Sequence, residues 1–526
     1  MGYIKMFRNR NGWLSGCFAT LTLLVAGVMF AARAGADDCA ARLARVKAVA
    51  DGLCTVTNVA TLPKRGGVVR VDFVLKAEPG SDIRCRAEMA PPERWDGRLW
   101  GVGNSGTAGK VPSLERFVGK DSAAVTTDLG TWSVTDCGTR DTNIWPKAVS
   151  RDFSWRATHL MTVYGKRFVS AYYGKAPDKS YFCGGSCGGR QAFSEAVRFP
   201  ADYDGIISYL PAHNTLANNM AKWNLWRQTH GADGQLLFST EEMRIVADAA
   251  IEFRKTKDPA PYAGRFLADG RTTGEEVDAI LALAAKRAPS LAQGDKLARL
   301  KAIYTPSFFN GECLSLNYAP SAYLGKRMGS RMMAGLRVWM KGRGLPTEFG
   351  PHVTWERMRA FAHDTAPEGN ANATDLSAFF ARGGKMIVTT GWEDQTVSPY
   401  PIVEHYERIC AQRGGLERTM ESCRLFCMPG GAHGGGKGRA FTGGPGQGEN
   451  VRKAMVAWRE KGVAPDKLDI KTYHDGVIPL ATYPGLFVRD EAGGWRRVET
   501  PRTKPLLADF LFVCDPHPDA PKASRP

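Results

Sequence analysis

The sequence lacks the patterns that are typical of several classes of protein. Its twelve cysteines do not have the spacing of zinc ligands, and its only long apolar run lies within the first 36 residues. No basic run, basic stripe with interleaved aromatic residues or internal repeat is present. The net charge of +17 is spread over stretches of mixed sign. These features argue against a zinc finger, a polytopic membrane protein and a nucleic-acid-binding protein. They indicate a basic surface that favours anionic substrates or cell envelopes.

Residues 1–36 are predicted to be a signal peptide. Basic residues near the N-terminus are followed by an apolar stretch over 13–32. Small residues at 32–34 or 34–36 then fit a cleavage site. An uncleaved membrane anchor is the alternative, because about 20 apolar residues can span a bilayer. The small residues at the end of the stretch favour cleavage. We therefore expect a periplasmic or secreted protein that keeps no stable membrane anchor.

The chain of 526 residues is long enough for one large core and a sizeable insertion. Predicted strands and helices alternate between residues 66 and 210, and strand character returns near residues 385 and 424. This pattern favours an α/β fold with a mainly parallel sheet covered by helices. The intervening segment is helical and polar, and we interpret it as a lid. The predicted divisions are a core over 37–211 and 376–515, a lid over 212–375 and a disordered tail over 516–526.

The pairing of the cysteines is left open by the sequence. Removal of the signal peptide would leave eleven cysteines, so at least one would not pair within the chain. Disulfides are common in exported proteins. Bridges could form within two groups, which are Cys39, Cys54, Cys85 and Cys137 near the N-terminus, and Cys410, Cys423, Cys427 and Cys514 in the C-terminal part.

The most informative motif is a G-x-S-x-G sequence over Gly184–Gly188, whose serine is Ser186. A predicted strand over 179–183 precedes it, and a predicted helix over 191–197 follows it. Glycines allow a sharp turn between strand and helix, and such a turn raises the serine hydroxyl above the sheet. We therefore predict that Ser186 is a nucleophile. An ordinary glycine-rich turn is the alternative.

A serine nucleophile needs a base that accepts its proton and an acid that orients the base. The predicted strand over 385–390 leads into Asp394, which we choose as the acid, with Glu393 as the alternative. A later predicted strand leads into a glycine-rich loop that carries His433, our choice of base, with His474 as the alternative. Residues that follow parallel strands meet at one edge of the sheet. The chain order Ser, acid, His is that of an α/β-hydrolase.

Two backbone N–H groups are needed to stabilise the oxyanion of a tetrahedral intermediate. We expect one from Cys187, directly after the nucleophile, and one from Gly106 in a glycine-rich loop after an early strand. That loop also fits the dinucleotide-binding pattern G-x-G-x-x-G over 101–106, with Asp121 as a candidate ribose-binding acid. The residues after the loop are a poor helix start, so the dinucleotide interpretation is the weaker alternative.

Three segments of the chain together resemble the motifs of one enzyme family. They surround the predicted nucleophile, acid and base, and read Tyr181-Phe182-x-Gly184-x-Ser186-x-Gly188-Gly189-Arg190-Gln191, then Gly383-Gly384-Lys385 followed by Gly391-Trp392-x-Asp394, then Pro429-Gly430-x-x-His433. These motifs resemble those of the tannase and feruloyl esterase family of exported α/β-hydrolases, which also includes a terephthalate-monoester hydrolase. The resemblance implies an α/β-hydrolase fold with a large helical lid, a triad of Ser186, Asp394 and His433, and an oxyanion loop that contains Gly106.

The chain departs from the pattern of this family at two places. Members usually carry a cysteine just before the serine and another just after the histidine, joined by a disulfide, whereas this sequence has Gly185 and Gly434 there. Cys183 and Cys187 flank the serine instead. Lids in the family commonly carry an Asp-rich calcium loop with cysteines, whereas this segment has the single cysteine Cys313 and no such loop. We therefore predict no metal site and no cofactor.

These observations together predict a secreted serine carboxylic ester hydrolase. By the resemblance, it would cleave small-molecule esters of aromatic acids, such as hydroxycinnamic or gallic acid, through an acyl-enzyme. One alternative is a non-catalytic α/β-hydrolase-like binding protein, which the missing disulfide favours and the intact Ser, Asp and His oppose. The other is a serine amidase or peptidase. The oligomeric state is not predicted.

Overall fold

The computed structural model describes residues 38–106, 108–119, 121–132, 147–258, 267–310, 312–328, 340, 344–346, 352–433, 448–471 and 477–499. The predicted signal peptide and the predicted tail lie outside these residues. The described strands, in chain order, are β1 (Cys54–Leu62), β2 (Val68–Leu75), β3 (Ile83–Met89), β4 (Arg98–Val102), β5 (Ala123–Thr127), β6 (Lys179–Gly185), β7 (Gly205–Tyr209), β8 (Ser307–Phe309), β9 (Glu312–Ser315), β10 (Lys385–Gly391), β11 (Cys423–Met428), β12 (Lys467–Lys471), β13 (Val477–Ala481), β14 (Gly485–Arg489) and β15 (Trp495–Glu499).

Nine of the described strands form one sheet, in the spatial order β1-β2-β3-β5-β4-β6-β7-β10-β11. The six strands from β5 to β11 in this order run parallel to one another. The three strands β1, β2 and β3 are antiparallel and extend the sheet at one edge. The mainly parallel α/β sheet predicted from the sequence is therefore confirmed, and the antiparallel extension is an addition to it.

The parallel strands are buried on both faces. Phe182 on β6 belongs to one buried apolar cluster, whereas its neighbours Tyr181 and Cys183 belong to another. Since successive side chains of a strand point to opposite faces, the two clusters lie on opposite sides of the sheet. Burial on both sides explains why these strands read as continuous apolar runs in the sequence.

Helices cover the sheet, and between β7 and β10 the described chain is mostly helical, with the short strands β8 and β9. A helical segment over 38–47 precedes β1. Within the described residues, no helix combines the length and the apolar character needed to cross a bilayer. The later helices are α1 (Glu115–Val118), α2 (Lys147–Arg151), α3 (Ala157–Tyr173), α4 (Cys187–Arg198), α5 (Thr215–Thr229), α6 (Thr240–Arg254), α7 (Gly274–Arg287), α8 (Lys296–Tyr304), α9 (Trp355–Gly369), α10 (Ser377–Ala381), α11 (Tyr400–Arg413), α12 (Leu416–Met420) and α13 (Glu449–Lys461).

The helices from α5 to α9 form an insertion between two halves of the sheet. α6 and α7 each begin at a capping box, in which a hydroxyl residue and a glutamate three positions later satisfy each other's backbone N–H groups. Val246, Ile280 and Leu300, from three successive helices, belong to a buried cluster that is separate from the two clusters of the sheet. The insertion therefore has a core of its own. Its limits at residues 212 and 375 stay predictions.

The nine cysteines of the described residues are unpaired. Cys54 lies on β1 and Cys85 on β3, and β2 separates them. Strands two places apart are about 10 Å apart, which is too far for a disulfide. The described residues therefore contain none of the bridges that the sequence allowed, and for Cys54 and Cys85 the sheet holds the two residues apart. Cys137 and Cys514 lie outside the described residues.

Candidate active site

A sharp turn between β6 and α4 carries Ser186. The residue has a φ of 57° and a ψ of −116°, a conformation that residues with a side chain rarely adopt. Its N–H donates to the carbonyl oxygen of Tyr209 over 3.0 Å, and its own carbonyl accepts from the N–H of Ala212 over 3.0 Å. These contacts with the end of the neighbouring strand β7 hold the strained turn. The local geometry is the one predicted for a nucleophile elbow.

The glycines before the serine are required by close neighbours. A Cβ atom at Gly184 would lie 2.5 Å from the carbonyl oxygen of Gly188, and one at Gly185 would lie 1.8 Å from Cε2 of Tyr209. Both distances are far shorter than van der Waals contact, so any side chain would displace its surroundings. The ring of Tyr209 therefore occupies the space that a cysteine at position 185 would need. Gly434, the other position of the family's disulfide, lies outside the described residues.

Two polar side chains from the loops after β10 and β11 form a chain of contacts that leads to Ser186. Nε2 of His433 lies 3.2 Å from Oγ of Ser186, and Nδ1 of His433 lies 2.8 Å from Oδ2 of Asp394. The structure thus brings together the three residues chosen from the sequence. Glu393 is also buried, but Asp394 is the carboxylate within hydrogen-bonding distance of the imidazole. The alternative base, His474, lies outside the described residues.

Both oxygens of Asp394 have partners. Oδ2 faces His433, and Oδ1 accepts hydrogen bonds from the N–H groups of Thr396 at 2.7 Å and Val397 at 2.8 Å. The Asp394 side chain is fully buried, whereas 16% of the His433 side chain is exposed. The backbone N–H of His433 donates to Oε1 of Gln395 over 3.2 Å. The loop after β10 therefore fixes both the carboxylate and the loop that carries the imidazole.

The helical insertion supports this acid-bearing loop. In the amide orientation that satisfies both groups, Asn218 on α5 donates to the carbonyl oxygen of Thr396 over 2.8 Å and accepts from Nζ of Lys222 over 3.0 Å. Burial and the charge of Arg327 lower the pKa of Lys222 to about 8, and the negative charge of nearby Asp394 opposes this shift. The insertion thus places a buried amine near the carboxylate. No sequence motif indicated this contact.

The loop after β4, which contains Gly106, is joined to the nucleophile turn by backbone hydrogen bonds. The N–H of Gly103 donates to the carbonyl oxygen of Cys183 over 3.0 Å, and the N–H of Gly188 donates to that of Asn104 over 2.8 Å. Cys187 is the first residue of α4, so its N–H has no acceptor one turn earlier in the helix. Gly106 has a φ of +56°, which glycine adopts without strain.

Gln191 on α4 holds the same loop through its side chain. Its Oε1 accepts from the N–H of Asn104 over 2.8 Å, and its Nε2 donates to Oγ1 of Thr158 over 2.8 Å. Gln191 is fully buried, so these bonds are made away from water. It is a positioning residue that sequence analysis placed in a motif without giving it a role.

We expect Gln191→Met to lower kcat about 10- to 100-fold through misplacement of the loop after β4. Methionine has a similar shape but cannot accept from Asn104, so a buried N–H stays without a partner and the free energy of unfolding falls by about 1–3 kcal/mol. Steady-state kinetics and urea unfolding measure both effects. The matched control is Gln228→Met, since Gln228 contacts Asn224 on α5 over 3.2 Å. Equal kcat values in the two variants would contradict the assigned role.

The dinucleotide-binding alternative is not supported by the local structure. Residues 108–114 after the glycine-rich loop are not helical, and the next helix, α1, has only four residues. A pyrophosphate site of this class needs a helix N-terminus directly after the glycines. The pattern over 101–106 instead forms the loop beside the nucleophile turn.

Comparison with known proteins agrees with this geometry. The family model described as "Tannase and feruloyl esterase" matches residues 68–260 and 348–506, which together make up more than half of the chain. The matched regions contain the nucleophile turn and both of the loops that carry Asp394 and His433.

Curated relatives match along most of their own length. A probable feruloyl esterase B-2 of Aspergillus flavus is 27% identical over 471 residues, which cover 80% of this chain and 83% of the relative. A mono(2-hydroxyethyl) terephthalate hydrolase of Piscinibacter sakaiensis is 25% identical over 535 residues, which cover 85% of each chain.

Solved structures of esterases share the fold. Feruloyl esterase B from Aspergillus oryzae superposes with a TM-score of 0.72 at 22% identity, covering 88% of this chain and 99% of that one. Tannin acyl hydrolase from Aspergillus niger gives a TM-score of 0.67 at 17% identity, covering 87% and 94%. The chain therefore belongs to the tannase and feruloyl esterase family, and it is a carboxylic ester hydrolase with an α/β-hydrolase fold.

Proposed function

We propose that Ser186, His433 and Asp394 form a catalytic triad that hydrolyses esters of aromatic acids through an acyl-enzyme. The observation that carries this proposal is the continuous chain of contacts from Oγ of Ser186 through the imidazole to the buried carboxylate, at 3.2 and 2.8 Å. These distances fit a nucleophile, a general base and an orienting acid. The strained turn that presents Ser186 supports the same assignment.

In this mechanism Oγ of Ser186 attacks the ester carbonyl carbon while Nε2 of His433 takes the hydroxyl proton. Asp394 holds the imidazole in the required tautomer and stabilises the imidazolium. The N–H groups of Cys187 and Gly106 stabilise the negative charge on the carbonyl oxygen. His433 returns the proton to the leaving alkoxide, and the acyl group stays on Ser186. A water molecule, deprotonated by His433, then releases the acid and restores the serine.

The names of the relatives suggest the class of acyl group. Feruloyl and terephthalate esters are both esters of aromatic acids, and the two curated relatives above are named for them. We assign the helical insertion over 212–375 as the lid that selects the acyl group, since α5 contacts the loop of the catalytic acid. The predicted signal peptide over 1–36 favours a periplasmic or secreted enzyme. The resemblance to a family of exported α/β-hydrolases favours the same location.

A panel of substrates tests the proposed class. Methyl ferulate, methyl gallate and a terephthalate monoester would be compared with methyl acetate and with the amide of ferulic acid, using the purified protein. We expect at least one aromatic ester to have a kcat/KM at least about 10-fold above that of methyl acetate, because burial of an aromatic ring adds binding energy in the transition state. A fluorophosphonate should label a single serine, identified by peptide mass as Ser186.

The other outcomes separate the alternatives. Faster hydrolysis of the amide than of its ester would indicate an amidase or peptidase. No turnover of any substrate, together with no labelling, would indicate a binding protein on a hydrolase scaffold. Labelling of Ser186 with a preference for methyl acetate would keep the triad and overturn the aromatic acyl group.

A further inference from the structure

A second cluster of titratable side chains lies away from Ser186, near the opposite end of α4. It consists of His159 on α3, Glu195 on α4 and Asp202 in the loop before β7. Nδ1 of the imidazole and one oxygen of each carboxylate all lie within 4.8 Å of one another. Nine residues of helix separate Glu195 from Ser186, a rise of about 13 Å. None of the three side chains has a part in the proposed mechanism.

Glu195 is the unusual member of this cluster. Its side chain is fully buried, and within the described part of the chain no N–H or hydroxyl group donates a hydrogen bond to either of its carboxylate oxygens. A buried carboxylate needs either a proton or a bound cation. Since both oxygens lack a donor, the site is open to a ligand.

His159 is held in an orientation that suits a metal ligand. Its ring stacks on Phe199, with centroids 3.7 Å apart and planes inclined by 9°. Its Nδ1 lies 2.7 Å from Oδ2 of Asp202. In this contact Nδ1 donates its proton to the carboxylate, and a metal ion bound at Nδ1 would take the place of that proton. A fixed ring of this kind reduces the entropy that is lost when a metal binds.

One further charged group faces the cluster. Nζ of Lys166 lies 3.8 Å from Oδ1 of Asp202 and donates to the Asp202 carbonyl oxygen over 2.5 Å. One ammonium group therefore faces two carboxyl groups of the cluster. Lys166 and Asp202 also line a surface cavity of about 210 Å³, so the Asp202 end of the cluster adjoins solvent-accessible space.

We propose that His159, Glu195 and Asp202 bind one zinc ion. Two atoms bound to a tetrahedral Zn²⁺ lie about 3.3–3.5 Å apart, so ligand atoms within 4.8 Å of one another need to move by no more than about 1.5 Å. An imidazole with two carboxylates suits Zn²⁺, whereas Ca²⁺ and Mg²⁺ prefer oxygen ligands alone. Zinc also binds such ligands more tightly than manganese does. The ion would join α3, α4 and the loop before β7, with water as its fourth ligand.

Calorimetric titration of the purified, chelator-treated protein with ZnCl₂ at pH 7.5 tests the proposal. We expect one ion per chain with a dissociation constant in the micromolar range or below. Glu195→Gln and His159→Gln should each weaken this binding more than about 10-fold. Saturating Zn²⁺ should raise the melting temperature of the unmodified protein by about 2 °C or more, and it should not do so in either variant. His352→Gln, at a half-exposed histidine outside the cluster, controls for adventitious binding.

Two results would overturn the zinc site. One is the absence of saturable binding in the unmodified protein, and the other is equal affinity in the two cluster variants and the control. Either would leave Glu195 as a protonated carboxyl group that donates to Asp202. If Glu195→Gln does not fold, as judged by circular dichroism, His159→Gln decides alone. Ester hydrolysis without added zinc should be the same in these variants, so failure here is distinct from failure of the proposed triad.

Discussion

Ser186→Ala should lower kcat for the best ester by about 10⁶-fold and leave KM nearly unchanged. The substitution removes the atom that forms the acyl-enzyme, and what remains is the effect of the oxyanion donors and of substrate binding. The turn itself should survive, because its hydrogen bonds to Tyr209 and Ala212 are made by backbone atoms. Burst kinetics and labelling by a fluorophosphonate measure the loss directly.

A serine on the same helix provides the matched control. Ser194 lies on α4, is buried, and its Oγ makes no hydrogen bond within the described residues. Ser194→Ala should therefore keep kcat within about twofold, since it removes a hydroxyl group that has no partner. If Ser186→Ala kept its turnover and its labelling, Ser186 would not be the nucleophile.

Asp394→Asn should lower kcat by about 10³- to 10⁴-fold with little change in fold. The N–H groups of Thr396 and Val397 both donate to Oδ1, so an asparagine places its carbonyl oxygen there and its amide NH₂ toward His433. Nδ1 of the imidazole must then accept a hydrogen bond, which puts the ring proton on Nε2. In that tautomer Nε2 cannot accept the proton of the serine.

The neighbouring carboxylate distinguishes the two candidate acids. Glu393→Gln should keep kcat within about 10-fold, since Glu393 is adjacent to Asp394 but the hydrogen bond to Nδ1 of His433 comes from Asp394. A larger loss in Glu393→Gln than in Asp394→Asn would show that the acid has been chosen wrongly.

The parts of the site that follow from local sequence could be predicted. An apolar strand, two glycines and a helical pattern specify the turn at Ser186, because few other backbones join a buried strand to a helix so sharply. The positions of Asp394 and His433 follow from one rule, since the carboxyl ends of parallel strands meet at one edge of a sheet. Their proximity was therefore predictable without knowledge of the complete fold.

Contacts between distant segments could not be predicted in this way. Gln191 and Asn104 are 87 residues apart, and no local pattern pairs a buried amide with a particular backbone N–H. The same holds for Asn218 and Thr396, whose contact depends on how the insertion packs against the sheet. Strand β2 is recognisable by its alternating side chains, but a single strand does not reveal that its partners are antiparallel.

Tyr209 also restricts the evolutionary routes open to this chain. A cysteine at position 185 meets the aromatic ring at once, because its Cβ would lie 1.8 Å from Cε2. The crosslink that the family resemblance implies at this position would therefore need more than cysteines at the two crosslinked positions, because the Tyr209 ring would also have to move or be replaced by a smaller residue. The effect of a cysteine at 185 thus depends on the residue at 209, and we expect these two positions to change together.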